Sequence, residues 1–460
     1  MADIRGDEGM GIKDTVFVDD IIDRQSLGPR GYVLVFLLML ALVCDGFDMQ
    51  IVSVVAPWLA KAWGIAPKDL VGPVQSANLF GMMIGAVFLG GFGDRIGRKK
   101  LIVGGTLLYS LTTLLALAAT NVTELSMIRF MTGIGLGGVL PNVIALTPEM
   151  TPRARRPMLT SLVILGISLG SGMPGVVAAQ LVPVHGWQSL FLVGAVVPAL
   201  IALVLAVLLP ESLLFLTHRG RDREQVARRV AAMDAAGEVG PQTQFALRGS
   251  DGKARAGFLE LFTPALRVTT PLLWIMFAGV LLSMHFLNSW ISTVLSLANL
   301  TPTQFSLTNS FFHWAGAIAA IATALMLGRL GIRWVLLLLS VGMLSLLTIA
   351  TQGFETPWLL TLAVCGAGFG VIGCQGALNA STGLIYPPNC RTTGVGAALG
   401  IGRIGSVAGP LVGTYVLSLG VPVQQMFFVP LLPLGLAALA TLVLVIRKVD
   451  IPRGTGPVGH

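Results

Sequence analysis

The chain has little charge and almost no cysteine for its length. Charged residues make up 11% of its 460 residues, against roughly 25% in soluble globular domains. The four cysteines have neither metal-ligand spacing nor a pairing pattern, which argues against a zinc site or a disulfide framework. No nucleotide-binding loop, metal cluster or nucleophile–base pair is visible. We therefore predict that the protein is not an enzyme and uses no cofactor and no metal.

Apolar residues and glycine are abundant instead. Apolar residues make up 54% of the chain, the mean hydropathy is +0.81, and there are 56 glycines, which favour close helix packing in membranes. Twelve stretches are long enough to cross about 30 Å of hydrocarbon. They cover residues 31–58, 69–92, 100–119, 124–147, 158–182, 188–209, 269–297, 304–328, 334–352, 357–385, 392–420 and 424–446.

A charged segment interrupts the apolar stretches after the sixth. This division predicts an all-α membrane protein with twelve transmembrane helices in two six-helix bundles. The first 30 residues carry seven acids before any apolar run, so no cleavable signal peptide is predicted. The predicted parts are an N-terminal tail (1–30), an N-terminal bundle (31–209), a central loop (210–268), a C-terminal bundle (269–446) and a C-terminal tail (447–460).

The basic residues predict the orientation of the chain. Of the 30 Lys and Arg, Arg129 and Arg403 fall inside apolar stretches, and only Lys61 and Lys68 fall in loops opposite the termini. The others lie in the tails and in the even-numbered loops. Because cytoplasmic loops carry the excess of Lys and Arg, both termini are predicted to be cytoplasmic. The net charge of +8 follows from this topology and gives no indication of nucleic-acid binding.

Two acids, Asp45 and Asp48, lie inside the first apolar stretch. A carboxylate in hydrocarbon costs at least ~2.5–3.5 kcal/mol, so both must face a protein interior or a water-filled cavity. Their spacing of three residues places them on one helix face. Acids in such positions mark ion or proton pathways more often than packing. The sequence therefore predicts a proton-coupled membrane protein.

Several motifs resemble those of the major facilitator superfamily. GDRIGRKK (93–100) matches its loop between helices two and three, and a degraded copy, GRLGIRW (328–334), follows the eighth stretch, as expected of two related halves. RFMTGIGLGG (129–138) matches its fourth-helix motif. DGFD (45–48) and ALGIGRIGSVAGP (398–410) more narrowly resemble the aromatic acid:proton symporter family.

That resemblance implies the major facilitator fold and a function. Members of the family carry benzoate-, hydroxybenzoate- or chlorophenoxyacetate-type anions into bacteria. It therefore implies a monomeric, multi-pass protein of the bacterial inner membrane that imports an aromatic carboxylate with protons by alternating access, for aromatic hydrocarbon catabolism. The expected partners are the substrate, protons and the lipid bilayer.

Arg129 is the expected partner of the two acids. At 1.5 Å per residue, Asp45 and Asp48 lie about 21 and 26 Å from the start of the first stretch. Arg129 lies about 8 Å into the fourth stretch from the opposite side, so the three side chains can share one level. Pairing lowers the cost of burying each charge. We predict that Asp45, Asp48 and Arg129 couple protons to transport; the alternative is a static salt bridge between two helices.

Arg403 is the predicted anchor for a substrate carboxylate. It lies about 17 Å into the eleventh stretch, near the middle of the bilayer, and no acid of the second half lies at its depth. An unpaired guanidinium offers a planar fork that a carboxylate completes. The alternative is a purely structural pair with Asp45 or Asp48 across the cavity.

Other polar and aromatic residues of the second half are candidates for the same site. His313 lies about 14 Å from the opposite end of the eighth stretch, where it can bind a polar ring substituent, relay a proton, or satisfy an ordinary interhelical bond. Asn288 and Gln375 are further polar candidates, although each alone is typical of helix packing. The predicted aromatic contacts to a benzene ring are Phe47, Phe312 and Trp290.

Charges at the predicted cytoplasmic ends suggest a gate. Asp94 and Arg98 flank the loop between helices two and three, and Glu149 ends helix four just before Arg153. Arg391 begins helix eleven in the same way that Arg153 precedes helix five. Opposite charges here can hold one transport state and separate when the halves rock. The alternative is a solvated charged rim.

Two rival functions remain open at the level of sequence. GSGMPG in helix five resembles the glycine–proline pattern of exporters, so an exporter or exchanger of small organic anions is the first rival. A membrane sensor for aromatic acids is the second. A sensor needs a signalling domain, and the central loop is too short and too charged to form one.

Overall fold

The computed structural model describes residues 15–24, 27–219, 224, 226–228, 230, 244–246, 258–264, 266–298, 300–352, 354, 356–387 and 390–447. Within this part, twelve helices are long and apolar enough to cross a membrane, which confirms the predicted fold class. We number them α1 Pro29–Trp63, α2 Pro67–Ile96, α3 Arg98–Leu115, α4 Val122–Glu149, α5 Arg156–His185, α6 Gln188–Leu208, α7 Thr269–Leu297, α8 Pro302–Leu330, α9 Ile332–Gln352, α10 Pro357–Ile385, α11 Arg391–Ser418 and α12 Leu431–Ile446.

The helix ends carry recognisable start and stop signals. Thr301 caps α8 through a capping box with Gln304, and Asn121 accepts a hydrogen bond from the first turn of α4. Gly64 ends α1 with φ of 65°, a conformation that glycine adopts without steric cost. Proline in the first two positions, where its missing N–H is not needed, begins α1, α2, α5, α8 and α10.

Glycine brings α2 and α4 into backbone contact in the N-terminal bundle. A Cβ atom added at Gly133 would lie 2.1 Å from the carbonyl oxygen of Asn78, and one added at Gly81 would lie 2.1 Å from that of Phe130. No side chain fits at either position. The glycines of RFMTGIGLGG thus set the distance between these helices, which is how small residues act in membrane bundles.

The two bundles meet mainly through α1, α2 and α5 on one side and α7, α8 and α11 on the other. We call the end of the molecule that carries the start of α1 and the end of α12 the termini face. The hydrogen bonds described between the bundles lie at mid-depth or nearer the opposite face. They join Ser53 to the carbonyls of Asn288 and Ser289, Ser76 to that of Val407, Thr414 to that of Lys68, and Trp314 to that of Leu169.

The segment before α1 packs on the segment between the bundles, which the sequence did not indicate. Strand β1 (Thr15–Phe17) pairs in parallel with β2 (Gln244–Ala246). The following short helix, Val18–Arg24, buries Val18 and Ile22 in a small apolar cluster with residues of the central segment. An ion pair of 2.6 Å between Asp23 and Arg156 fixes this unit to the start of α5. The described parts of the N-terminal tail and of the central loop therefore pack together at the termini face.

Candidate functional site

The Asp48–Arg129 pair lies in the interior of the N-terminal bundle. Arg129 donates to the two Asp48 carboxylate oxygens at 3.1 and 2.7 Å and to the Asp48 backbone carbonyl at 3.0 Å. The Thr113 hydroxyl of α3 donates to the same carboxylate at 2.6 Å. Both charged side chains are fully buried. The forked geometry is the strong form of a buried ion pair, and it ties α1, α3 and α4 together.

Asp45 is buried but unpaired. Its side chain is 3% exposed, and neither carboxylate oxygen has a hydrogen-bond partner among the described residues. The Tyr109 hydroxyl of α3 faces this carboxyl group without meeting the geometry of a hydrogen bond. The structure thus separates the two acids that the sequence grouped, because only Asp48 is held by Arg129. Sequence depth alone could not show this, since the two positions differ in their direction around the helix.

Arg403 makes no hydrogen bond or ion pair with any residue that the structure describes, and its side chain is partly exposed. The direction of the Arg403 side chain can be inferred from the contacts of its neighbours on α11. Gly402 and Gly405 pack on α7, whereas the Val407 carbonyl accepts the Ser76 hydroxyl of α2. Arg403 lies between these two faces and therefore points toward the space between the bundles. Its guanidinium thus lies at mid-depth without a counter-ion among the described residues.

The polar candidates lie in two environments, one fully buried and one half-buried. His313 is 3% exposed and its Nε2 atom has no described partner. Asn288 is also buried, and its Oδ1 atom lacks a described partner. Gln375 is only half-buried and makes no described hydrogen bond. All three side chains thus keep hydrogen-bonding capacity that the described residues do not use.

The three predicted aromatic contacts are packed inside the bundles, which argues against their role in binding. Trp290 donates from Nε1 to the Pro410 carbonyl at 3.0 Å, so it fastens α7 to α11. Phe47 contacts Gly194 of α6 within its own bundle. Phe312 is fully buried where α8 meets α10. In each case an apolar ring contributes more to stability by packing against a neighbouring helix than by lining a polar space.

Among aromatic side chains, Trp314 does lie between the bundles. Its Nε1 atom donates to the Leu169 carbonyl of α5 at 3.3 Å, and its ring lies against Gly172. This residue is adjacent to His313 in the sequence. Gln50 and Asn309 are also buried at this level with unpartnered polar atoms, and the sequence analysis missed both.

The predicted gate residues form a cluster within one bundle rather than between the two. Arg98 donates to the Glu149 carboxylate, and also to the Ala145 carbonyl at 2.7 Å. Ser212, just after α6, donates to the other Glu149 oxygen. Glu211 accepts the Lys99 backbone N–H at 3.0 Å. The charges therefore join α3, α4 and the start of the central segment.

Two further gate candidates, Arg153 and Arg391, make no described contact with this cluster. Arg153 is exposed, and its backbone N–H donates to the Asp23 carbonyl at 3.4 Å. Arg391 is exposed and donates to the Tyr386 carbonyl at 3.3 Å. The Asp94 side chain lies outside the described residues. A gating role for these residues stays a prediction.

Similar structures confirm the architecture. The bacterial homologue of the human lysosomal transporter Spinster, in an inward-facing, occupied conformation, matches with a TM-score of 0.68 at 15% identity over 91% of this chain and 97% of its own. The partially occluded inward-open xylose transporter XylE from E. coli matches with a TM-score of 0.66 at 15% identity over 93% and 99%. At this identity the similarity is one of fold.

Similar sequences are transporters of aromatic acids. A gallate transporter of Pseudomonas putida is 34% identical over 92% of this chain and 94% of its own length. The 4-hydroxybenzoate transporter PcaK of Pseudomonas aeruginosa is 34% identical over 92% and 95%, and the benzoate transport protein of Acinetobacter baylyi is 30% identical over 96% of each. The family profile of the Major Facilitator Superfamily matches residues 38–301. The chain belongs to the Major Facilitator Superfamily and is a transporter, not an enzyme.

Proposed function

We propose that the protein imports an aromatic carboxylate together with protons, by alternating access at the space between its bundles. The observation that carries the proposal is Arg403, a mid-depth guanidinium without a described counter-ion. A substrate carboxylate supplies the missing charge and can accept two parallel hydrogen bonds from the fork. Relatives that carry gallate, 4-hydroxybenzoate and benzoate support the aromatic class.

Asp45 is the proposed proton carrier. An ionised carboxylate without a partner in this interior is costly, so the neutral form fits the site as described. When the bundle opens, water can reach the group and release the proton. Asp48 is a poorer carrier, because protonating it would break its two bonds to Arg129 and leave that charge unpaired.

The proposed orientation places the termini face in the cytoplasm. The exposed Arg95, Arg153 and Arg391 lie at that face, as expected for cytoplasmic loops of a protein in the bacterial inner membrane. The hydrogen bonds between the bundles lie at mid-depth or nearer the opposite face. Bundles that are joined on the side away from the cytoplasm are what an inward-facing state of an alternating-access cycle requires. In this proposal the monomer is the transport unit.

Transport by purified protein in liposomes tests the proposal. A radiolabelled aryl carboxylate should accumulate against its gradient when the outside is acidic, and a protonophore should abolish the accumulation. Counterflow exchange should persist without a pH gradient, and liposomes without protein are the control. Accumulation that ignores the pH gradient would overturn symport, and efflux from loaded liposomes that dissipates an imposed proton gradient would favour the exporter.

A further inference from the structure

Two buried polar groups without hydrogen-bond partners face each other inside the N-terminal bundle. They are the Asp45 carboxyl group of α1 and the Tyr109 hydroxyl of α3. Asp45 is 3% exposed and Tyr109 is fully buried. The hydroxyl lies close enough to interact with the carboxyl group, yet the two do not form a hydrogen bond as they stand. Neither group has another partner among the described residues.

A hydrogen bond one turn away fixes the contact between these two helices. Thr113 of α3 donates to Asp48 of α1 at 2.6 Å. Both helices lead away from the termini face, so they run in the same direction. Tyr109 precedes Thr113 by four residues and lies about 6 Å nearer that face. Asp45 precedes Asp48 by three residues and lies about 4.5 Å nearer it, so the two groups are the next pair along the same contact.

The backbone of α4 holds the Tyr109 side chain in place. A Cβ atom added at Gly135 would lie 3.1 Å from the Tyr109 Cβ atom and 2.8 Å from the Gly105 carbonyl oxygen. Glycine at position 135 thus lets α4 pack against the base of the ring. The ring belongs to the same buried apolar cluster as Leu42 and Val139. A ring packed in this way keeps its hydroxyl beside Asp45.

Packing alone does not explain a tyrosine at this position. Phenylalanine would fill the same space without burying a hydroxyl that has no described partner, which carries a desolvation penalty. Buried tyrosine hydroxyls usually have a partner. Tyr386 shows that ordinary arrangement, since its hydroxyl donates to Thr270 at 3.2 Å. The penalty at Tyr109 is offset if its hydroxyl gains a partner in another state of the transport cycle.

The ionised form of Asp45 is the state that needs this hydroxyl. A hydroxyl that donates to a carboxylate forms a charge-assisted hydrogen bond, about twice as strong as one between neutral groups. Such a bond favours the charged form of the acid. When Asp45 gives its proton to water, Tyr109 can donate to the carboxylate and keep its own proton.

The other titratable groups near Asp45 are poorly suited to this role. Cys44 and Asp48 are its neighbours on α1. A thiol is a weak donor, and a second carboxylate only accepts hydrogen bonds. Arg129 of α4 is a strong donor, but it is already held by the Asp48 carboxylate at 2.7 Å.

The remaining helices around α1 bring no charged group to this carboxyl group. α2, α5 and α6 carry no titratable residue away from their ends. The titratable residue of α7, His285, bonds through Nδ1 to its own helix at the Leu281 carbonyl, 2.9 Å away. Tyr109 is thus the described neighbour whose hydroxyl faces Asp45.

We infer that Tyr109 is a positioning residue for the proton carrier: its hydroxyl donates a hydrogen bond to Asp45 once the carboxyl group has released its proton. This inference rests on the proposed function, in which Asp45 carries the coupled proton. Without the hydroxyl, the new carboxylate would stand unpaired in the bundle interior, which makes release unfavourable. Tyr109 therefore sets the internal pH above which the proton is delivered.

The variant Tyr109→Phe gives the first test, because it keeps the ring and removes only the hydroxyl. Uptake into liposomes would be measured over a range of internal pH at one acidic external pH. The internal pH for half-maximal uptake should rise by about one unit, the roughly tenfold effect of a hydrogen bond to a charged group. Counterflow exchange, which needs no proton release, should be unchanged. The control is Tyr386→Phe, which removes a buried hydroxyl of the other bundle and should leave the pH profile unaltered.

Infrared spectroscopy of the purified protein gives the second test. The carboxyl C=O stretching band that is lost in Asp45→Asn identifies the protonated carrier. In Tyr109→Phe this band should persist to a pH about one unit higher than in the unmodified protein. In unmodified protein with ring-deuterated tyrosine, a tyrosine band should shift as the carboxyl band disappears, and Asp45→Asn should abolish that shift. The labelled protein decides the question even if Tyr109→Phe folds poorly.

The outcomes separate this inference from the proposed function. If Asp45→Asn accumulates substrate normally, the proposed proton carrier is wrong, and the inference fails with it. If Asp45→Asn fails to accumulate substrate, but Tyr109→Phe keeps the pH profile and the carboxyl band of the unmodified protein, only the role of Tyr109 fails. An equal pH shift in Tyr109→Phe and Tyr386→Phe would also overturn it, because the shift would then not depend on contact with Asp45.

Discussion

Arg129 donates two side-chain hydrogen bonds to Asp48, at 3.1 and 2.7 Å, with both residues fully buried. Asp45, three residues earlier, receives none from the described residues. Asp48 is therefore fixed in a salt bridge between helices, and Asp45 is not. In the proposed function, the two alternatives that the sequence left open for this group apply to different acids: Asp48 forms the static bridge and Asp45 carries the proton.

The first prediction concerns the stability of the salt bridge. Arg129→Gln should lower the free energy of unfolding by about 3–5 kcal/mol, because it leaves the Asp48 charge buried without a partner. Thermal unfolding in detergent would show this as a lower melting temperature. Arg228→Gln is the control, since the Arg228–Glu224 pair is exposed and should contribute about 0.5 kcal/mol or less. Equal melting temperatures for the two variants would contradict a structural role.

The second prediction separates Asp45 from Asp48. Asp45→Asn should fold with a nearly unchanged melting temperature, because the side chain gives up no described hydrogen bond. It should fail to accumulate substrate under a pH gradient yet keep counterflow exchange. Asp48→Asn should lose stability as Arg129→Gln does. Normal accumulation by Asp45→Asn would show that the proton travels elsewhere.

The sequence predicted the features that depend on local composition. Hydropathy is a property of consecutive residues, so it can be calculated from the sequence alone. The predicted number of membrane helices was correct. The first helix, α1, extends to Trp63, beyond its expected end at residue 58. The constant rise per residue of a helix was enough to predict that Asp48 and Arg129 lie at the same depth in the membrane. These inferences needed no knowledge of which way a side chain points.

Directions around each helix could not be predicted. Trp290 and Asn288 are two residues apart on α7, yet the first packs on α11 and the second lies at the meeting of the bundles. Gln50 was overlooked because its burial depends on how α1 is rotated. The pairing of β1 with β2 joins segments far apart in the chain. Such contacts depend on tertiary packing. They cannot be predicted from the hydrophobic pattern of a single helix.

The third prediction tests the packing role of Trp290. Trp290→Phe removes its hydrogen bond to the Pro410 carbonyl, which keeps the Thr414 hydroxyl as a donor, so the cost in stability should be about 0.5–1.5 kcal/mol. Ligand affinity of the folded protein should stay the same. Trp358→Phe is the control, because this ring is 69% exposed and should be neutral. A selective loss of aromatic ligand binding in Trp290→Phe would restore it to the binding site.

The fourth prediction concerns the cluster of Arg98, Glu149 and Ser212. Glu149→Gln removes the charge that both partners contact, at the point where α3, α4 and the central segment are joined. Since these residues lie far from Arg403 along their helices, transport should slow several-fold while equilibrium ligand affinity stays unchanged. Stopped-flow uptake and calorimetry measure the two quantities.

The control for this cluster lies on the same helix. Glu124, at the other end of α4, bonds with its local neighbours Thr120 and Asn121 and with no other described residue, so Glu124→Gln should leave both rate and affinity unaltered. If Glu149→Gln weakened ligand binding and left the rate per bound ligand intact, the cluster would belong to the binding machinery and not to the conformational change.

The fifth prediction concerns Arg403 itself. Truncating one partner of a buried charge-assisted pair costs about 2–5 kcal/mol, or roughly 30-fold or more in affinity, so Arg403→Ala should bind aryl carboxylates at least that much more weakly. Arg403→Lys should fail nearly as badly, because a point charge cannot reproduce the planar fork. The exposed Arg333 of α9 provides the control variant, Arg333→Ala.

The ligand series decides what a loss of affinity in Arg403→Ala means. A methyl ester or amide of a good substrate should bind poorly to the unmodified protein, because it lacks the charge that Arg403 pairs with. These neutral compounds should then lose little further affinity in Arg403→Ala, whereas the acid should lose most of its advantage over them. If the acid and its ester lost affinity equally, Arg403 would act by holding α11 in place. The carboxylate would then have to be bound by another group, and His313 is the next candidate at this depth.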